Sequence, residues 1–249
     1  MAGENALGVR LLVGGYDISG DVNSIDNFHG GPAVEENTGI DKEAVEREAL
    51  HVDGGFEFTS FFNKTAGQSH PVLSALPTTD VLVSYLHKSV IGNPGCACLG
   101  KQIDYAPNRA ASGRLVMKTT VQANGYGLEW GSQLTAGLRT DTGATNGAAV
   151  DFAQANAFGL QAYLQVKSFA GTDATIKLQM DDNSGFTTPT DVTGGGFTVV
   201  TAAPFVQRIQ TTRTFAVERY LRVVTTTSAG FTSLVFSVIV NVNTTSVNF

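Results

Sequence analysis

The chain has 249 residues, 15% of them charged, with 28 glycines, 9% aromatics and a formal charge of −6. That length fits one large β domain or two ordinary ones with a sizeable core, and a disordered chain would be more charged and less apolar. Residues 1–132 carry fifteen acids against nine bases and residues 133–249 seven of each, with no basic stripe, which argues against tight binding to nucleic-acid phosphates.

No apolar run reaches membrane-spanning length, so no membrane partner is expected. The start, "MAGENALGVRLLVGG", lacks the basic region and apolar centre of a signal peptide, so the expectation is synthesis and folding in the cytosol. Residues 9–13 (VRLLV) predict a first strand before the turn-rich "GGYDISGDVNS". Residues 29–40 (HGGPAVEENTGI) read as an exposed loop, continuing into a charged connection up to Val52, with a turn at Asp53–Gly55. "GGFEFTSFF" then alternates: Phe56, Phe58, Ser60 and Phe62 on a buried face, Glu57, Thr59 and Phe61 on the other. Phe61 on the polar side is a candidate subunit contact.

"GQSHPVLSAL" predicts a short helix capped by Ser69, with Pro71 in its first turn and Pro77 ending it. "DVLVSYL" alternates again. "KQIDYAPNRAASG" reads as a loop leading to a strand from Arg114 to Ala123. The Gly- and Thr-rich "LTAGLRTDTGATNGAAVDF" reads as a linker. After it, strands are predicted at Gly159–Phe169, Thr175–Met180, Gly196–Thr201, Arg208–Thr212, Ala216–Thr225 and Thr232–Asn243. The fold class is therefore mainly β: a sandwich or barrel with a short helix in residues 1–133, then a second β-sandwich domain in residues 134–249.

Chemical candidates are few. Glu46, Glu48 and His51 suggest a zinc protease, but that motif needs two His four apart on one helix face, and only one is present. His29, His51, His70 and His87 lack metal-site spacing. Cys96 and Cys98, one residue apart, would strain a disulfide and have no second Cys pair for a metal, so they read as small apolar residues in a reduced chain. There is no G-x-S-x-G nucleophile elbow, "TGGGF" (193–197) reads as a hairpin loop rather than a phosphate loop, and Asp181–Asp182 reads as a turn. No catalytic residue, metal or cofactor is expected. Tyr126 and Trp130 in "NGYGLEWGSQL" are a candidate sugar-stacking platform, against the alternative of a core or subunit contact for Trp130.

The order "GYDISGDVNSI", "EENTGIDKEAVERE", "VDGGFEFTSFF", "SHPVLSAL", "DVLVSYL", "GLEWGSQL" resembles the major tail (tail tube) proteins of long-tailed bacteriophages, particularly those of actinobacterial hosts. "AYLQVKSFAGTDATIKLQ", "VTAAPFVQRIQTT" and "VERYLRVVTTTSAGFTSLVFSVIVN" resemble the β-rich second part found in the same group, so the resemblance covers nearly the whole chain. Its motifs are strand-and-turn patterns. One departure is "ALHVDGG", where related sequences often have a Pro-Gly turn before the Asp-Gly pair.

The resemblance implies a structural virion protein of the tail, made in the host cytoplasm. Its rings would stack into a hollow tube through which DNA passes, alongside tape measure, terminator and distal tail proteins. It places a long inter-ring loop at about residues 30–52. Glu35, Glu36, Asp41, Lys42, Glu46, Arg47 and Glu48 would then be interface charges, with Lys42 and Arg47 meeting acids of the next subunit. One tube domain per chain suits a hexameric ring; a diverged tube domain in the second half would allow a trimeric one. The absence of a repeat between the halves favours six, with the second domain on the tube exterior. The alternative is a minor tail or decoration protein whose second sandwich binds host carbohydrate.

Overall fold

Period-two alternation dominates the sequence, and the computed structural model is nearly all antiparallel β; it describes residue 5 and residues 7–109 and 113–246. The first half contains β1 (Arg10–Val13), β2 (Tyr16–Asp17), β3 (Val22–Glu36), β4 (Arg47–Phe61), a one-turn helix α1 (Ser69–Leu73), β5 (Val81–Leu86), β6 (Pro94–Arg109), β7 (Leu115–Ala123) and β8 (Glu129–Gln133). The second contains β9 (Arg139–Asp141), β10 (Thr145–Asn146), β11 (Val150–Asp151), β12 (Leu160–Gly171), β13 (Thr175–Asp181), β14 (Thr190–Gly196), β15 (Phe205–Gln210), β16 (Tyr220–Thr226) and β17 (Phe231–Val242).

One twelve-stranded sheet spans both halves in the order β15-β12-β17-β8-β6-β5-β1-β2, with β7, β4 and β3 continuing from β6 and β9 paired to β17. Strands β10, β11, β13, β14 and β16 form a second sheet. Three apolar clusters separate four layers. Phe56, Phe58, Val83, Tyr85, Cys96 and Cys98 lie between β4–β7 and β1–β5. Leu12, Leu82, Leu86, Ala97, Tyr163 and Ile239 lie between β1–β5–β6 and β12–β17. The largest cluster, including Leu164, Ile176, Leu178, Val223 and Phe236, fills the sandwich between β12–β17 and the second sheet. Strand β5 is thus buried on both faces, odd positions in one core and even positions in the next. The alternation predicted for "DVLVSYL" is present, but it sorts residues between two cores.

A polar joint ties the halves together. Arg208 on β15 is almost fully buried and pairs with Glu129 of β8 (3.2 Å). It also donates to Tyr163 Oη (3.0 Å), and Tyr163 in turn donates to Glu129. Burial alone would lower the Arg208 pKa, but Tyr163 and Glu129 hold it above its ordinary value. Burial and Glu129 push the Tyr163 phenol well up. Gln165 Nε2 donates to the Leu82 carbonyl (2.9 Å) and Ser84 Oγ (3.0 Å), while its Oε1 accepts from Gly15 N (2.6 Å). The side chains of Arg208, Tyr163, Glu129 and Gln165 thereby find partners within the joint, as the low dielectric of the interior requires.

Several expectations are corrected. Residues 29–52 are not a loop: Val22–Glu36 and Arg47–Phe61 pair as one long hairpin, and only 37–46 lie outside its strands. Asp53–Gly55 is no turn, and the chain enters the Phe56 segment without a break. The glycines serve close packing instead: a β-carbon on Gly54 would lie 2.5 Å from Leu128 N, and one on Gly55 2.9 Å from the Val121 carbonyl. Phe62 lies beyond the strand end, 41% exposed and stacked on His70 (4.4 Å), so it does not join Phe56 and Phe58. Ser69 does not cap α1. Its amide is taken by the buried Asp21 carboxylate (2.9 Å), and its hydroxyl donates to the Phe61 carbonyl (2.6 Å). The helix ends at Leu73, short of Pro77.

Residues 101–109, expected as loop, are the second half of β6. The supposed linker supplies β9, β10 and β11 to both sheets. The "TGGGF" segment is not a hairpin loop, because Thr193–Gly196 are the end of β14. That displaces the strand expected at Gly196–Thr201, where only Val200 makes an isolated bridge, to Ala174. Strands expected to begin at Arg208 and Ala216 begin at Phe205 and Tyr220.

Two outcomes follow from these contacts. Arg208→Ala removes the cation from the largely buried Glu129, leaving it only the Tyr163 hydroxyl, and is expected to cost about 3 kcal/mol in denaturant unfolding. Asp173 accepts bonds from the Ser228 and Ala229 amides (2.9 and 2.7 Å), which lower its pKa from 3.8 to about 2. A depressed carboxylate stabilises the fold fully above its unfolded pKa and loses that contribution as pH falls through its folded pKa. The stability difference between wild type and Asp173→Asn is therefore expected to be constant at neutral pH and to shrink between 3.8 and about 2, measured by acid-dependent melting.

Candidate assembly surface

The first half ends in a four-stranded antiparallel sheet, β3-β4-β7-β6, whose register sorts its side chains cleanly. Phe56, Phe58, Met117 and Val121 point into the core. The other face is polar. Asp26 accepts from Ser24 (2.6 Å) and Thr59 (2.7 Å), Glu57 pairs with Lys118 (2.9 Å), and Asp104 stands opposite Thr120. Glu57 chiefly, then Asp26 and Asp104, raise the Lys118 pKa. Three carboxylates surround this one ammonium group, so the centre of the face is acidic.

Both outer edges of this sheet are open. Among the described residues β3 pairs only with β4, and beyond Gly100 strand β6 pairs only with β7. Free N–H and C=O rows of this length are templates for another strand, and proteins normally cover or blunt them. Ile103, 57% exposed, sits on the open β6 edge at an irregularity between Gln102 and Asp104. That break in alternation, with Pro107 nearby, made the segment read as a loop.

The β3–β4 hairpin continues past the body as an arm. His29–Glu36 and Arg47–Asp53 are exposed, as are Ile40, Val45, Leu50 and Val52. Eight strand residues give this arm a reach of about 25 Å before its tip. Glu35, Glu36, Arg47 and Glu48 lie on the arm strands, and Asp41, Lys42 and Glu46 lie in the tip. Within this chain Lys42 pairs with Glu46 (3.2 Å). Arg47 stands opposite Glu36, and Glu35 opposite Glu48. Phe61 is not with them: it lies at the other end of β4, under the Arg114 guanidinium (3.8 Å).

Tyr126 and Trp130 do come together, in a cavity of about 890 Å³ at the base of the arm, lined also by Leu50, Val52, Leu128 and Asn241. Trp130 is 48% exposed and touches the rings of Phe28 (5.4 Å) and Tyr85 (6.5 Å). Arg208 covers one face of Tyr126 (3.6 Å). Cys96 and Cys98 are free and buried; burial, then Asp53 and Glu129, push the Cys98 thiol up to about 12, and burial, then Cys98, pushes Cys96 up. The histidines are dispersed: His70 bonds Tyr105 Oη (2.9 Å) and His87 bonds Tyr85 Oη (3.0 Å). Among the described residues no cluster of three or more His, Cys, Asp or Glu is placed to hold a metal, and no helix is long and apolar enough to cross a membrane. The polar joint of Glu129, Tyr163 and Arg208 has no local sequence signal, since its members come from three distant strands.

No family model matches the sequence, and no curated protein does. Among solved structures, the Dit protein of phage SPP1, described as a paradigm of the hub adsorption apparatus in phages infecting Gram-positive hosts, is 11% identical with a TM-score of 0.33, over 94% of this chain and 99% of that one. Two structures of the phage p2 baseplate in its activated conformation, with Sr and with Ca, align at 10% and 9% identity and TM-scores of 0.33 and 0.34, over 94% of this chain and 98% of each of theirs. TM-scores of this size do not establish a shared fold.

Gly54→Val is expected to force the Leu128 backbone away from β4 and to cost about 1–3 kcal/mol, as overpacking does. A melting curve would check it, and an unchanged midpoint would contradict the close-packing account of the Gly54–Gly55 pair.

Proposed function

We propose that this chain is a self-assembling structural subunit of a phage tail, and within that class a tail tube protein. The observation that carries this reading is the polar four-stranded sheet with two open edges. Pairing β3 of one copy with the outer half of β6 of the next would satisfy both backbone rows and add four strands per copy to a closed cylinder. The acidic face would then line the bore, where like charge lets DNA slide without sticking. The layer order supports this arrangement, because the five-stranded sheet is separated from the polar face by all three cores. In this reading residues 1–133 form the tube-forming part, residues 134–249 face outward, and the role is structural rather than catalytic. Its partners are further copies, in hexameric or trimeric rings, and other tail proteins at the tube ends. DNA meets it in transit, and the site of action is the virion tail.

Ile103→Lys places a charge on the open β6 edge, a known device against edge pairing. It is expected to abolish rings seen by negative-stain microscopy while leaving the melting temperature unchanged. A wild-type chain that stays monomeric at high concentration would sink the proposal.

A second reading has one specific observation behind it, the half-exposed Trp130 beside Tyr126 in the cavity. A carbohydrate-binding decoration protein would bind glycans on an array and lose binding in Trp130→Ala. Absence of any glycan signal for wild type removes that alternative.

A further inference from the structure

We propose that Asn124 is a site of spontaneous self-modification: the free backbone amide of Gly125 attacks its carboxamide, and the residue becomes an aspartate or isoaspartate. Asn146, the other asparagine followed by glycine, is protected by the fold.

The step uses only water. The Gly125 nitrogen gives its proton to solvent and bonds to Asn124 Cγ; the Cγ–Nδ2 bond breaks, and the leaving nitrogen takes up a proton and departs as ammonia. Water then opens the resulting cyclic imide at either carbonyl. The balance is water consumed, ammonia released and a carboxylate gained. Glycine favours the attack because no β-carbon shields its nitrogen and its backbone turns freely. The two Asn-Gly pairs differ in whether that nitrogen is available. Gly147 N donates to the Val223 carbonyl (2.8 Å), Asn146 itself belongs to β10, and a β-carbon on Gly147 would lie 2.5 Å from Arg139 Nη1. Attack there requires the β10–β16 pairing to open. Asn124 and Gly125 lie exposed just past the end of β7. Among the described residues the Gly125 amide makes no hydrogen bond, and a β-carbon there would meet nothing within 4 Å.

The surroundings of Asn124 decide which nucleophile acts and what the product does. Asn124 N donates to the Leu99 carbonyl (3.0 Å), and Nδ2 donates to both carboxylate oxygens of Asp80 (3.0 and 3.2 Å). The rival nucleophile nearby, Lys101, is engaged: its Nζ pairs with Asp80 (2.8 Å) and donates to the Thr78 carbonyl (2.8 Å). As a paired ammonium it has no lone pair to offer, so a Lys101–Asn124 cross-link does not form. Conversion replaces the amide donor with a carboxylate that faces Asp80, and Lys101 is left to serve both. Like charges in such contact repel and cost stability. Gly100 stands opposite Ala123 and Lys101 opposite Gln122, so the new charge falls where β6 leaves β5 for β7. The modification therefore loosens the root of the four-stranded sheet.

Peptide mapping by mass spectrometry tests this on the wild-type chain kept in mildly alkaline buffer, once folded and once in urea. In urea both asparagines are expected to convert at similar rates. In the folded chain Asn124 is expected to convert progressively, with the mass change of amide to acid, while Asn146 converts at least about tenfold more slowly than in urea, because attack there needs local opening. An Asn124 that stays intact in the folded chain, an Asn146 that keeps pace with it, or a peptide linking Lys101 to Asn124 overturns the proposal. The consequence is tested separately. Asn124→Asp is expected to melt below wild type, and the exchange Asn124→Asp with Asp80→Asn to recover part of the loss, since it restores one carboxylate and one amide beside Lys101. An Asn124→Asp variant that melts with wild type, or an exchange that melts no higher than Asn124→Asp alone, overturns the charge account of the damage.

Discussion

A β-carbon at position 100 would overlap the Gln122 carbonyl oxygen and lie 2.7 Å from its carbon, so only glycine allows β6 to run as it does. Before Gly100 the strand is shared by β5 and β8, deep between two cores; after it the strand leaves them and pairs with β7 alone. That change of partners separates the body from the four-stranded sheet. It also leaves the outer edge of β6 bare, because β5 ends its pairing at Val81–Gly100. The other bare edge is on β3: β4 has its second partner in β7, whereas the β1–β2 hairpin that precedes β3 pairs with β5 instead.

Rigidity behind these edges comes from the stacking of layers. Strand β5 has no solvent face, and Tyr163 and Gln165 of β12 reach across to hydrogen-bond partners on β8, β15 and β5. The sheet that carries the open edges therefore cannot tilt without disturbing the joint between the halves. The buried Arg208–Glu129 pair adds little net stability over an apolar pair, since desolvation offsets most of the attraction. Its worth lies in geometry. A planar guanidinium bonded to Glu129, Tyr163 and Gln210 admits few alternative registers of β15 against β8.

Local alternation made β5, β7, β12, β13 and β17 legible, and the mainly β class with them, because a strand with a buried face writes its period into the sequence. The failures have physical causes of their own. "VDGG" carries the composition of a turn, yet its glycines answer to Leu128 and Val121, seventy or so residues away, which no local rule detects. The irregularity at Ile103 and the proline at 107 hid the outer half of β6. The arm was hidden by its exposure on both faces: a hairpin projecting into solvent has no buried side, so it loses the alternation by which strands are recognised. The charges of the arm and of the polar face were visible as residues, and their placement became visible only with the register of β4 against β3 and β7.

That loss of alternation bears on the arm's role. A two-stranded ribbon in water is marginal at best, and this one places Glu35 against Glu48 and exposes Val34, Ile40, Val45, Leu50 and Val52. Within the arm Lys42 pairs with Glu46 and Arg47 stands opposite Glu36, which offsets only part of this charge. Single exposed ion pairs contribute little, so a contact built from the arm's carboxylates would be weak per pair, sensitive to salt and strict about orientation. Edge pairing by contrast gains many backbone hydrogen bonds at once and does not draw on the arm's carboxylates.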